Sequence, residues 1–149
     1  MPIPNYVVNT KINKPVADVF RAIVDPRTLE KYFVDRTESG IAPGKDVIWT
    51  WEKWGDYPVK VLSYVEDRLI ELEIDSTHWR KTTGAGYKVL IRFELQEVAT
   101  DETLLSVSES GWPTDEAGLK ASHENCAGWT HMTLCMKAWL EHGIDLRAF

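Results

Sequence analysis

The feature that most constrains the fold of this chain is a series of five segments, between Val47 and Glu109, in which apolar side chains recur at every second residue. That spacing is typical of a strand with one buried face. The segments begin at Val47, Val59, Ile70, Tyr87 and Thr103, and polar turns separate the second from the third and the fourth from the fifth. Because strands that follow one another without helices between them pair side by side, the pattern predicts an antiparallel sheet.

Helical patterns precede this sheet. A strand pattern over Tyr6–Ile12 comes first, and Pro15 then opens a helix, since proline lacks the N–H that the first helical turn leaves unpaired. Asp25 and Pro26 repeat this start signal and open a second short helix that reaches about Phe33. We therefore expect two short helices after the first strand.

A long helix is expected after the sheet, and it completes an α+β domain over residues 1–149. Thr114 is its predicted N-cap, and Gly143 is its predicted stop, just after His142. Its buried stripe contains Trp129, Met132 or Thr133, Met136 and Leu140. Two glycines interrupt the helix, Gly118 and Gly128, and at Gly128 we expect a strand or a ligand to approach closely.

Charge and composition exclude several classes of partner. The net charge is -6 and the basic residues are scattered, so no nucleic-acid partner is expected. No apolar run approaches the ~18 residues needed to span a bilayer, and the N-terminal residues do not resemble a signal peptide. We therefore expect no membrane partner and a cytoplasmic location. Cys126 and Cys135, which are too far apart along one helix for a disulfide, fit that reducing compartment.

Two motifs carry a resemblance to a known superfamily. They are KINKPVADVFRAIVDPRTLEKYF, from Lys11 to Phe33, and GWTHMTLCMKAWLEHGIDLR, from Gly128 to Arg147. Together with the order of elements, they resemble the START-like helix-grip (SRPBCC) superfamily, which includes birch-pollen allergens and polyketide cyclases. Within it the chain is most similar to the branch named for homology to the activator of the heat-shock-protein-90 ATPase. The co-chaperone activity belongs to larger members with an additional domain, so the resemblance does not imply it here.

The resemblance implies a curved antiparallel sheet of about six or seven strands that grips the C-terminal helix around an internal cavity for a hydrophobic molecule. Pockets for small molecules are lined mainly by aromatic and apolar side chains with a few polar groups. The candidate ligand-binding residues are Trp49, Trp51, Phe93, Glu109, Trp112, Trp129 and Met136. For Trp49 and Trp51, core filling is an equal alternative. Trp54 is expected to be exposed or to act as a lid, and Trp79 either covers an opening or lies on the surface.

Glu109 is the most informative acidic residue, because it continues the inward alternation of Leu105 and Val107. An inward carboxylate would anchor a ligand or act as a general acid or base. General burial statistics favour the alternative of a glutamate at the sheet edge whose carboxylate reaches water.

No metal and no cofactor are expected. His131 with Cys135, and His123 with Cys126, supply two ligands each, and no further ligands have suitable spacing. The leading hypothesis is a protein that binds a small hydrophobic or aromatic molecule and is a monomer or a weak dimer. The alternatives are a cyclase-like or hydrolase-like enzyme that uses Glu109 and a module that docks onto a protein partner. Since neither motif contains a catalytic signature, the sequence favours binding over catalysis.

Overall fold

The computed structural model describes residues 2–79 and 85–148 and contains a curved, seven-stranded antiparallel sheet. The strands are β1 (Tyr6–Ile12), β2 (Arg36–Thr37), β3 (Val47–Trp51), β4 (Gly55–Val65), β5 (Leu69–Asp75), β6 (Lys88–Ala99) and β7 (Glu102–Ser110). Their order across the sheet is β1-β7-β6-β5-β4-β3-β2. All strands except β1 therefore pair with their neighbours in the chain, as the sequence predicts. The two-residue strand β2 is too short to show an alternating pattern, and sequence analysis did not detect it.

Two short helices follow β1, as expected. Helix α1 (Val16–Val24) begins after Pro15, and α2 (Pro26–Tyr32) begins after Asp25. The Asp25 carboxylate accepts a hydrogen bond from the backbone N–H of Arg27 at 3.0 Å and so caps α2. The second start signal therefore operates as predicted, with Pro26 in the first turn of α2, whereas Pro15 is the N-cap of α1 rather than a residue of its first turn.

The long helix α3 (Glu116–His142) is capped by Asp115, so the prediction of Thr114 as its N-cap is wrong. The Asp115 carboxylate accepts a hydrogen bond from the N–H of Gly118 at 2.7 Å, whereas Thr114 lies one residue too early to play this role. The helix ends at Gly143 as predicted. Gly143 has a φ of +67°, the left-handed conformation that favours glycine at this position.

The close approach expected at Gly128 occurs instead at Gly118. Gly128 is exposed, and a Cβ built there would meet no heavy atom within 4 Å. A Cβ at Gly118 would lie 2.2 Å from the carbonyl oxygen of Pro113. The segment between β7 and α3 thus folds back against the first turn of the helix, and the first helical glycine makes room for it.

The core lies between the inner face of the sheet and one face of α3. The helix contributes Trp129, Met132, Thr133, Cys135 and Met136 to it, while Leu140 is half-buried. Polar contacts fix α3 along β1: the Thr10 hydroxyl donates to the Thr133 hydroxyl at 2.8 Å, and Lys137 donates to the carbonyl of Lys11 at 2.8 Å. Of the helices that the structure describes, none combines the length and apolar character that crossing a bilayer requires.

The loop predicted from Ser76 to Gly86 begins with a 3-10 turn over Ser76–His78, and a second such turn covers Leu146–Ala148. Residues 80–84 of that loop lie outside the described residues. At the C-terminal end, the Arg147 guanidinium donates to the backbone carbonyls of Glu30 at 2.9 Å and Val34 at 3.0 Å. These bonds tie the residues after α3 to the end of α2.

Candidate functional site

Glu109, at the end of β7, is buried and only 1% exposed. Its side chain points inward with those of Leu105 and Val107, as the alternation predicts. The interpretation that its carboxylate reaches water is therefore wrong. Glu109 is also the one charged side chain buried among the described residues.

Four neutral side chains, which we call the Glu109 network, donate five hydrogen bonds to this carboxylate. Oε1 accepts from the Tyr6 hydroxyl, from Trp112 Nε1 at 2.9 Å and from Asn125 Nδ2 at 2.9 Å. Oε2 accepts from Asn125 Nδ2 and from Trp129 Nε1, both at 2.9 Å. A carboxylate has about four lone-pair sites, so its acceptor capacity is filled.

Local structure explains why these donors meet at Glu109. Tyr6 faces Glu109 directly in the register between β1 and β7. Gly111 has a φ of +98°, and this turn lets Trp112 fold back toward the residue three positions earlier. Asn125 and Trp129 lie four residues apart on α3 and therefore share one helical face.

The negative charge is stabilised by dipoles rather than by a cation, because no lysine or arginine in the described ranges is buried. Multiple hydrogen bonds to the ionised form can replace an ion pair in compensating a buried carboxylate. Burial of Tyr6, followed by the neighbouring Glu109 charge, raises the pKa of the Tyr6 hydroxyl far above the usual range, so Tyr6 remains a proton donor.

A second group, which we call the aromatic cluster, consists of Phe33, Trp49, Trp51, Phe93 and Trp129. The Phe33 ring centroid lies 5.2 Å from that of Trp49, 5.1 Å from that of Trp51 and 5.6 Å from that of Trp129. Trp129 belongs to both groups, since its ring packs in the cluster while its N–H bonds Glu109. The region between the sheet and α3, which we call the inner space, therefore has a polar end at Glu109 and an apolar end at Trp49.

The two tryptophans of β3 differ in their hydrogen bonding. Trp51 is half-buried, and its Nε1 donates to the carbonyl of Phe33 at 2.8 Å. Trp49 is only 2% exposed, and its Nε1 is buried with no acceptor among the described residues. Since buried polar groups are nearly always hydrogen-bonded, Trp49 is an exception that requires an explanation. Trp79 Nε1 is a second one, next to residues 80–84, which lie outside the described part of the chain.

The other tryptophans lie near the edges of these groups. Trp54 is 55% exposed on the β3–β4 turn and packs against the Trp51 ring at 6.1 Å, which fits the expected exposed or lid position. Trp79 is half-buried rather than a free surface ring, because it packs on Trp112 at 5.3 Å and on Tyr87 at 5.8 Å. Trp79 thus covers the outer side of the Glu109 network.

The structure brings six of the seven predicted ligand-binding residues into the two connected groups. Trp49, Trp51, Phe93 and Trp129 are in the aromatic cluster, and Glu109, Trp112 and again Trp129 are in the Glu109 network. Met136 is fully buried elsewhere in the same core.

Sequence analysis missed three residues of this site, namely Tyr6, Phe33 and Asn125. Asn125 was detectable because it precedes Trp129 by four residues on the stripe of α3. Tyr6 required the register between β1 and β7, which the sequence does not give. Phe33 lies just after α2, where no periodicity indicates the direction of its side chain.

The rings of the aromatic cluster, whose neighbouring centroids lie 5.1 to 6.5 Å apart, occupy part of the space in which the resemblance implies a cavity. Two depressions among the described residues have volumes of about 140 and 200 Å³. They lie on the outer face of the sheet, beside Arg92 and beside Lys60, and no residue of α3 lines either one. A ligand that reaches Trp49 would have to displace side chains of the aromatic cluster.

The histidine and cysteine pairs lack the ligands of a metal site. Cys135 Sγ lies 3.6 Å from His131 Nε2, and burial raises the pKa of the Cys135 thiol. Within residues 2–79 and 85–148, no group of three His, Cys, Asp or Glu side chains is arranged to hold a metal ion.

Comparison with known proteins identifies a matching family model and solved structures of similar fold. The family model described as "Activator of Hsp90 ATPase homolog 1-like protein" matches residues 13–141. A search of the curated proteins gave no match.

Three solved structures illustrate the similarity in fold. Protein SSP2350 from Staphylococcus saprophyticus is 23% identical, with a TM-score of 0.73 over 95% of this chain and 96% of that one. The Aha1 dimer from Colwellia psychrerythraea is 18% identical, with a TM-score of 0.70 over 93% and 98% of the two chains. DynU16, a protein in the dynemicin biosynthetic locus, is 18% identical with a TM-score of 0.77, and the match covers 95% of this chain but 49% of DynU16.

Proposed function

The chain belongs to the Activator of Hsp90 ATPase homolog 1-like protein family, and on that premise we propose that it binds a small hydrophobic or aromatic molecule between the sheet and α3. The aromatic cluster is the apolar wall of this site, and the Glu109 network closes its polar end. The lipid-like or polyketide-like character of this ligand is carried over from the resemblance to the helix-grip superfamily, and the fold likeness to DynU16 is consistent with ligand binding. The free thiols of Cys126 and Cys135 fit a cytoplasmic protein.

The buried Trp49 N–H is the observation that carries this proposal. A core that serves folding alone gains nothing from an unpaired donor, because leaving one buried costs about 1–3 kcal/mol. Three aromatic rings surround Trp49, and their faces are weaker acceptors than an oxygen atom. A ligand with an acceptor atom would satisfy the donor and recover this energy.

Entry of a ligand requires a local opening, since the rings of the cluster are in contact. The β3–β4 turn is an exposed part of this wall, since Trp54 is 55% exposed there and packs against the Trp51 ring. Gly55, with a φ of +98°, follows Trp54 and begins β4. We propose that the turn swings outward with Trp54 and admits the ligand.

The state of Glu109 favours binding over catalysis. A general base needs a free lone pair directed at the substrate, and the five hydrogen bonds to Glu109 occupy its acceptor sites. Glu109 is therefore assigned the role of holding Tyr6, Trp112 and Trp129 in place around the site.

The indole N–H resonances of the tryptophans offer a direct test by NMR. We would titrate the protein with palmitate, flavone and acetylnaphthalene, with resonances assigned from single Trp→Phe variants. Saturable shifts are expected at Trp49 and Trp51, while Trp139 serves as the internal control because it lies ten residues beyond Trp129 on α3, about 15 Å along the helix. If every probe left Trp49 and Trp51 unshifted, the proposal would be wrong, and Trp54 would become the candidate contact for a protein partner.

A further inference from the structure

Resting on the proposed binding site, we infer that its ligand is a neutral molecule with a hydrogen-bond acceptor, such as an aromatic ketone or ester, and that Trp49 is the residue that selects it. Three features lead to this ligand class: one unused donor, the lack of any side-chain acceptor in the aromatic cluster, and one buried negative charge without a buried cation among the described residues.

The unused donor sets the positive requirement. Trp49 Nε1 is the only buried polar atom inside the aromatic cluster that lacks a partner among the described residues. The other two indoles of the cluster are already engaged, Trp51 with the Phe33 carbonyl and Trp129 with Glu109. A carbonyl oxygen placed at Trp49 therefore gains a hydrogen bond that a hydrocarbon of the same shape cannot make.

The scarcity of acceptors sets the first negative requirement. The side chains of the aromatic cluster are all Phe or Trp and carry no oxygen acceptor, and the Glu109 carboxylate already accepts five hydrogen bonds. A ligand hydroxyl or amine buried in the cluster would lose its bonds to water without finding a free acceptor. Such unpaired polar groups reduce affinity strongly, so the site discriminates against donors.

The buried charge sets the second negative requirement. An anionic ligand would bring a second negative charge into a core that already holds the Glu109 carboxylate and in which no described lysine or arginine is buried. A cationic ligand such as an ammonium would meet the positive end of the Trp49 N–H dipole, and its own N–H donors would find the lone pairs of Glu109 already occupied. Desolvation opposes both ions, which leaves a neutral acceptor as the ligand of best fit.

Four probes with one naphthalene skeleton, substituted at the same ring position, separate these requirements. They are acetylnaphthalene, ethylnaphthalene, naphthoate and naphthylmethylammonium. By isothermal titration calorimetry at neutral pH, acetylnaphthalene is expected to bind about fivefold to tenfold more tightly than ethylnaphthalene, the worth of one hydrogen bond. Both ions are expected to bind more weakly than the ketone.

Two variants test whether Trp49 is the residue that gives the preference for ketone over hydrocarbon. Trp49→Phe removes the unused donor and is expected to reduce the preference for ketone over hydrocarbon to less than about twofold. Trp51→Phe removes an N–H that is already bonded, so binding of both probes falls together and the preference persists. Circular dichroism establishes that each variant is folded before binding is measured.

The outcomes separate this inference from the function on which it rests. Equal binding of ketone and hydrocarbon to the unmodified protein would overturn the inference and leave the binding function intact. Tighter binding of either ion would overturn it as well. If none of the four probes bound, the proposed function would itself be contradicted.

Discussion

At the scale of single residues, Glu109 departs most from what composition statistics suggest. Glutamate is rarely buried, and when it is buried a cation usually accompanies it. Here four neutral side chains take that role, and they come from β1, from the turn after β7 and from α3. The inward direction of Glu109 was predictable from its alternation with Val107, but its partners were not, because strand register and the path of α3 decide them.

Replacing Glu109 with glutamine tests whether the carboxylate is the centre of the network. The side-chain amide nitrogen of Glu109→Gln is a donor. It would face the N–H of either Trp112 or Trp129, so two donors would point at each other and neither would have an acceptor. We expect the free energy of unfolding to fall by about 3 kcal/mol. Urea denaturation followed by circular dichroism measures it, and Glu97→Gln, at an exposed glutamate, is the matched control. Equal stability of the two variants would contradict the assigned role.

At the scale of elements, the sheet was more predictable than the ends of the helices. Alternation identifies β3 to β7 because each has one buried face, and Asp25 followed by Pro26 marks the start of α2. The N-terminus of α3 was placed one residue too early, since Thr114 and Asp115 are both good caps and only the backbone path selects between them. The role of its glycines depends on tertiary contacts, which periodicity does not report.

Replacing each of the two glycines of α3 with alanine is expected to change the free energy of unfolding in opposite directions. Gly118→Ala would place a Cβ 2.2 Å from the Pro113 carbonyl oxygen, so the backbone before the helix must move. We expect it to reduce stability by about 1–3 kcal/mol. Gly128→Ala meets no atom and gains helix propensity, so stability is expected to rise by up to about 1 kcal/mol. Thermal and urea unfolding measure both, and stabilisation by Gly118→Ala would refute the close approach.

At the scale of the whole molecule, burial links the stability of the fold to pH through tyrosine. Burial and then the Glu109 charge raise the pKa of Tyr6, and burial raises that of Tyr32, which donates to the Ala22 carbonyl. In the unfolded chain both hydroxyls lose their protons at about pH 10. Above that pH the unfolded state binds fewer protons than the folded state, so the free energy of unfolding must fall as the pH rises.

Alkaline titration tests this linkage. We expect the phenolate absorbance of Tyr6 and Tyr32 to appear only when the protein unfolds cooperatively. A gradual change in absorbance at about pH 10 is not expected for these two residues. Tyr6→Phe removes one of the two groups, so the slope of unfolding free energy against pH between about pH 10 and about pH 11 should be smaller than in the unmodified protein. An unchanged slope would show that Tyr6 ionises while the protein is still folded.

The meeting of β1, β7 and α3 at one carboxylate also has a consequence for the order in which the chain is assembled. The strands are synthesised before the helix, and α3 supplies three of the five hydrogen bonds to Glu109, two from Asn125 and one from Trp129. Until α3 docks, we expect water to occupy these acceptor sites, because a carboxylate keeps its hydration where protein donors are absent. A chain that ends before α3 would therefore leave a hydrated carboxylate on the inner face of its sheet.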